Sequence, residues 1–281
     1  MNATISAKAV LFFFLITLPG FAQNGSASLI KKVDGFSHPE SVLANKTDDV
    51  LYVSNIGGNL KDDGFISKVS PDGTMIEQKW VTGLNDPKGM WLLGDKLYVT
   101  DNTELIVIDI NSKRITRKIH AIGAGMLNDI TADNAGNVYV SDTGNSSIYI
   151  LEKNNSRLSV WMSSQNLKYP NGLITSGGNI FIAAWGENGD GDLLKVGLQS
   201  KRIEEITSNG LGNLDGIQRM GDEFLVSDWA TGKVYRIDRD GNVNQVLTSE
   251  QSSGDILYLE ARNYVILPMN QQNSVWWYQL N

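Results

Sequence analysis

The chain has 281 residues, no cysteine, only two histidines and a formal net charge of −7. Without cysteine there is no disulfide framework, thiolate catalysis or cysteine-held metal, and two histidines (His38 and His120) speak against an all-histidine zinc site. The acidic balance offers no basic stripe for a phosphate backbone, so nucleic acid is not an expected partner.

The first residues read as an export signal. Lys8 precedes an apolar run from Ala9 to Leu18, and Pro19-Gly20-Phe21-Ala22 puts small residues where a signal peptidase needs them, so cleavage is expected after Ala22. That run is too short to span a bilayer as a helix, and no later run is long enough. The expectation is an exported protein, periplasmic or extracellular, with one domain over 23–281. Hydrophobic content of 41% with 28 glycines and 6 prolines suits a compact, turn-rich β protein.

Along that domain, short alternating runs recur: LYVSN (51–55), LYVTD (97–101), VYVSD (138–142) and FLVSD (224–228). Period-two alternation broken by Gly, Asn and Asp marks half-buried strands joined by tight turns. Placing the start of each unit at Glu40, Lys88, Asp129, Asn171, Asp215 and Asp255 gives intervals of 48, 41, 42, 44 and 40 residues. From these marks to the strand ends at Asn55, Asp101, Asp142, Ala184, Asp228 and Pro268 the spacing is 15, then 13 in every later unit. Units of about 40–45 residues with four strands predict a six-bladed β-propeller rather than a sandwich. The last unit stops one strand short, and Ser28 to Val33 is predicted to complete it and close the ring.

In such a ring the innermost strands line a central channel, so the six marked positions are predicted to meet around one axis. They hold four carboxylates, one amide and one ammonium. Crowded carboxylates disfavour one another's ionisation unless a cation offsets them, and Lys88 can offset only one. Two readings follow: a wet polar channel with its acids solvated or paired to Lys88, or an oxygen-lined site for calcium, magnesium or manganese. Trp185 and Trp229 directly follow equivalent strand ends in neighbouring units and are candidates for an aromatic wall beside the ring, a surface suited to a sugar face or a flat ligand. Asp101, Asp142 and Asp228 are expected to cap turns. The acidic, glycine-rich segment Glu187 to Asp192 lacks the pattern of a calcium-binding hand and reads as a turn.

With Glu40 in HPESV, Asn128-Asp129 in LNDI, Asn171 in YPNGL and Asp215 in LDGI, the domain resembles the SMP-30/gluconolactonase/LRE-like family of six-bladed propellers over nearly its whole length. The resemblance implies one divalent cation, Ca2+ first with Mg2+ or Mn2+ as alternatives, held by Glu40, Asn171 and Asp215. It also implies that Asn128-Asp129 lie beside metal and substrate. The sequence departs from the family pattern at Glu40-Ser41-Val42, where Glu-Gly-Pro is usual, and at Ile130, where a glycine is usual. Residues 141–147 (SDTGNSS) replace the acidic substrate contacts of the sugar lactonases. The stretch GNVYVSDTGNSSIYIL (136–151) equally resembles an NHL repeat.

Two functions are therefore expected from different classes. One is a metal-dependent hydrolase of a small substrate, a sugar lactone or related ester. In it Asp215 or Asp129 is the general base, Asn128 and Lys88 orient substrate, and Trp185 and Trp229 wall the pocket. The other is a non-catalytic NHL-like propeller that binds a carbohydrate, peptide or protein.

Overall fold

The computed structural model describes residues 27–58 and 60–281, so the export signal expected at 1–22 lies outside the described residues. Six four-stranded antiparallel sheets follow one another around an axis. Their innermost strands are Pro39–Ala44, Pro87–Leu93, Leu127–Ala132, Pro170–Ser176, Leu214–Met220 and Leu257–Leu259. Among the described residues, helix is limited to the 3-10 turns Thr143–Asn145, Gln165–Leu167 and Glu260–Arg262, and no helix is long and apolar enough to cross a membrane.

The ring closes as expected. Ser28–Asp34 pairs antiparallel with the last strand, Ser274–Gln279, with Val33 opposite Val275 and Lys31 opposite Trp277. Trp277 donates its indole N–H to the Pro71 carbonyl at 3.0 Å, and the Lys32 ammonium stands 3.3 Å over the Trp276 ring. First and last blades are thus joined by a shared sheet as well as by packing.

The period-two pattern explains how neighbouring blades adhere. In blade 3, Val138 and Val140 pack toward blade 2 while the intervening Tyr139 packs toward blade 4. Blade 1 does the same, with Leu51 and Val53 facing blade 6 and Tyr52 facing blade 2. Each of the six interfaces between blades has its own apolar cluster, and burial of this apolar surface is the main stabilising contribution.

One backbone irregularity positions the channel lining. In each of the first five blades the inner strand carries one extra residue against its neighbour, at 40–41, 88–89, 128–129, 171–172 and 215–216. Such a bulge re-aims side chains at a strand end. Hydroxyls from the second strand stabilise it: Ser54, Ser141 and Ser227 accept the N–H of Ser41, Asp129 and Gly216 at 3.0, 2.8 and 2.8 Å. Ser141 also donates to the Asn171 carbonyl of the next blade at 2.7 Å, and Ser227 to that of Gly254 at 2.9 Å. Thr100 reaches the Asn128 carbonyl in the same way. A β-carbon at Gly172 would overlap the Asp215 carbonyl oxygen, so glycine there permits blades 4 and 5 to approach this closely.

The bulges correct the predicted ring in two blades. Glu40, Lys88, Asn171 and Asp215 are each the first bulge residue, but in blade 3 that place belongs to Asn128 and in blade 6 to Gly254. Asp129 and Asp255 take the second place, one residue along and aimed elsewhere. The cause is turn length. Leu93/Lys96, Ser176/Asn179 and Met220/Glu223 close two-residue turns, whereas Ala132/Val138 enclose five residues and Leu259/Tyr264 four. A constant count back from the second strand therefore slips where the turn lengthens.

Candidate functional site

The start of each inner strand is fixed by the end of the strand beside it. Asp101 accepts the N–H groups of Asn85 and Asp86 at 3.0 and 2.7 Å, Asp142 those of Gly125 and Met126 at 3.2 and 2.8 Å, and Asp228 that of Asn213 at 3.1 Å. Asn55 does the same for Ser37 at 3.0 Å. These side chains cap the loops entering the channel, as the sequence suggested, and so hold the first bulge residues in place. His38 is tied to the Gly57 carbonyl at 2.7 Å and does not line the cavity described next.

That cavity has a volume of about 370 Å³ and lies at the channel mouth. Its floor brings together Glu40, Lys88, Asn128, Asn171 and Asp215, one from each of the first five blades. Its wall comes from the residue just beyond the second strand: Ile56, Thr143, Trp185, Trp229 and Asn270, joined by Met126. Trp185 and Trp229 stand with ring centroids 5.8 Å apart at 50°. Of the wall residues, the sequence reading identified only the two tryptophans. Carrying the repeat one residue past each strand end would have found Ile56 and Thr143 as well, but not Asn270, because the last second strand ends at Met269, one residue beyond the Pro268 expected from the spacing.

The floor is deeply buried: Glu40, Asn128, Asn171 and Asp215 are each no more than 6% exposed. Lys88 Nζ lies 3.7 Å from Glu40 Oε1. Burial pushes the Glu40 carboxyl above its usual range, and the Lys88 charge partly counters that. Burial raises Asp215 well above the usual range, reinforced by Glu40 and Asp255, while Lys88 and the neighbouring Asn171 side chain favour its charged form. Glu40 Oε2 and Asp215 Oδ1 are buried without a hydrogen-bond partner, as is Asp255 Oδ1 deeper in the channel. Unpartnered buried carboxylate oxygens are costly, and a bound cation is the simplest way to satisfy several at once.

Asp129 does not join this floor. Its two oxygens accept the Ile130 N–H at 2.6 Å and the Leu173 N–H at 2.7 Å, linking blade 3 to blade 4. Burial, followed by the charge of Asp255, raises it well above the usual carboxylate range. Asp255 accepts the Ser41 hydroxyl at 2.8 Å, linking blade 6 to blade 1, and burial pushes it up to about 7. The segment 187–192 is a turn, with Asp190 accepting the Glu187 N–H and Asp192 paired to Lys168 at 2.8 Å.

Among the described residues no three acidic or histidine side chains group as a metal-ligand cluster. The implied set of two carboxylates and an amide, Glu40, Asp215 and Asn171, is a different kind of group. All three line one cavity, and the orphaned oxygens of the two acids fit a hard divalent ion. A larger groove of about 1000 Å³, around Trp91, Tyr98 and Arg117, lies at the opposite end of blades 2 and 3. It holds none of the orphaned carboxylate oxygens.

Fold and floor together define a class: a six-bladed β-propeller with a buried, polar floor at its channel mouth that includes two acids. No protein-family model matches the chain, nor does any curated protein sequence. Among solved structures, the chain is similar to virginiamycin B lyase from Staphylococcus aureus, at 12% identity and TM-score 0.67 over 91% of this chain and 100% of that one. It is also similar to a catalytically inactive variant of that enzyme with quinupristin, at 12% identity and TM-score 0.63 over the same shares. At this identity the likeness concerns the fold alone.

Proposed function

We propose that the channel mouth is a divalent-cation site and that the protein hydrolyses a lactone or related ester there, as the resemblance to the SMP-30/gluconolactonase/LRE-like propellers implies. The observation that carries this reading is that Glu40 and Asp215, each with one buried carboxylate oxygen left without a hydrogen-bond partner, line one cavity with Asn171. Glu40, Asn171 and Asp215 would hold the ion, which when bound supplies Lewis-acid polarisation of a carbonyl and of water.

The rest falls to the chain. Asp215 would also be the general base that takes a proton from water. Asn128 offers an amide N–H to orient the carbonyl, and Lys88 offers positive charge where negative charge develops. Asp129 has no place at the cavity and is left out of this mechanism. The test is turnover on a panel of lactones and esters. Activity should disappear with chelator, return with calcium or manganese, and be absent in a folded Asp215→Ala protein. Turnover indifferent to chelation contradicts the reading.

A second reading, a non-catalytic NHL-like propeller binding a carbohydrate, peptide or protein, is favoured by one observation. From Ser141 to Ser147 only Thr143 reaches the cavity, and the acid of that stretch, Asp142, is occupied in capping Gly125 and Met126. It predicts saturable binding without turnover.

A further inference from the structure

Floor and wall of the cavity differ sharply in chemistry. All of the charge and most of the hydrogen-bonding capacity lies in the floor, whereas four of the six wall residues are Ile56, Met126, Trp185 and Trp229. Of the two polar wall residues, Thr143 has already committed its hydroxyl proton to the Pro170 carbonyl at 2.7 Å, so the wall's donors are the Asn270 amide and one indole N–H on each of Trp185 and Trp229. Two exposed apolar side chains stand at the same end of the ring: Leu60 and Ile122, 76% and 82% exposed, on the loops that follow Asn55 and His120.

We infer that the site selects a lactone or ester carrying an apolar chain or ring, held against Trp185 and Trp229, and discriminates against polyhydroxylated sugar lactones. This rests on the hydrolase reading and gives its substrate class. A sugar lactone brings hydroxyls on most of its carbons, and each buried one needs a partner that Ile56, Met126 and the two indole faces do not supply. An alkyl chain or aryl ring instead gains from burial against the same surfaces. The carbonyl end still meets Lys88 and Asn128, so the preferred substrate is polar at one end only.

The experiment is calorimetric binding of non-hydrolysable six-membered lactams to the calcium-equilibrated protein, with the ring carrying no chain, propyl, pentyl or heptyl, and with gluconolactam as the polyhydroxylated probe. Affinity is expected to rise about fourfold per buried methylene until the wall is covered, with gluconolactam weaker than the alkyl members. The gradient should flatten in Trp185→Ala and Trp229→Ala, and Ile56→Asn serves as an independent variant should either fail to fold. A flat chain-length series, or gluconolactam binding tightest, overturns the inference. Turnover of the matched lactones is read separately. A steep binding gradient without turnover defeats the hydrolase and leaves the selectivity standing, whereas turnover with a flat gradient does the reverse.

Discussion

Glu40 and Lys88 face each other across the channel mouth, with Oε1 of the first 3.7 Å from Nζ of the second, while Oε2 of Glu40 is buried without a partner. One ammonium is thus set against a floor that also contains Asp215, whose carboxyl is further disfavoured from ionising by the charge of Asp255. Lys88 relieves one oxygen of one acid. The remaining imbalance is what a divalent ion would correct, and it makes Lys88 both a substitute for that ion and its competitor.

Replacing Lys88 by methionine should therefore tighten calcium binding about tenfold, since a like charge is removed from the site. If Lys88 also steadies negative charge on the substrate, kcat falls in the same variant with KM little changed. Calcium calorimetry beside steady-state kinetics reads both effects. Weaker calcium binding would show that the ammonium is not opposed to the ion.

The pH dependence of stability follows from the raised carboxyls. Glu40, Asp129, Asp215 and Asp255 all bind protons more tightly in the folded chain than in the unfolded one. Between about pH 4 and the Asp255 value of about 7 the folded state holds protons that the unfolded state has released, so stability in chelator falls as pH rises through that window. Calcium should oppose the trend, since an ion held by Glu40 and Asp215 favours their charged forms. Urea midpoints with and without calcium across that window measure it.

Asp129 is a joint between blades. Asp129→Ala leaves the Ile130 and Leu173 N–H groups without their acceptor and should cost about 1–3 kcal/mol in urea denaturation, whereas Asp129→Asn, which keeps an acceptor oxygen for one of them, should cost less. Neither change should abolish calcium binding. Loss of the ion in a stable Asp129→Asn protein would return this residue to the site.

Gly172→Ala tests how the approach of two blades sets the floor. The added carbon meets the Asp215 carbonyl oxygen, and relieving that overlap must move Asp215 relative to Asn171. About 1–3 kcal/mol of lost stability is expected, together with weaker calcium binding. Unchanged calcium affinity would mean that the floor tolerates movement between blades 4 and 5.

The fold was legible because alternation and turn residues report directly on strands, and because a chain one strand short at its end has the missing strand at its start, where Val33 pairs with Val275. The site was legible where spacing and turn length agreed: two-residue turns with a spacing of 13 in blades 2, 4 and 5, and a longer turn with a spacing of 15 in blade 1. Lys88, Asn171 and Asp215 follow from a fixed spacing, but in blade 3 the five-residue turn moved the true floor position from Asp129 to Asn128. A side-chain direction reverses with a single step along a strand, so one extra turn residue exchanges a cavity-lining amide for an acid tied to the next blade. Asn270 was missed because the last second strand runs one residue further than the spacing implied, and Met126 because it precedes an inner strand, outside the repeat of strand ends.

Calcium titrated into chelator-stripped protein, followed by calorimetry in parallel for the wild type, Glu40→Gln and Asp215→Asn, bears most directly on whether acids from blades 1 and 5 share an ion. Saturable binding of one calcium per chain, weakened at least tenfold by either substitution, is the predicted result. No binding by the folded wild type, or binding that both variants retain in full, would contradict it.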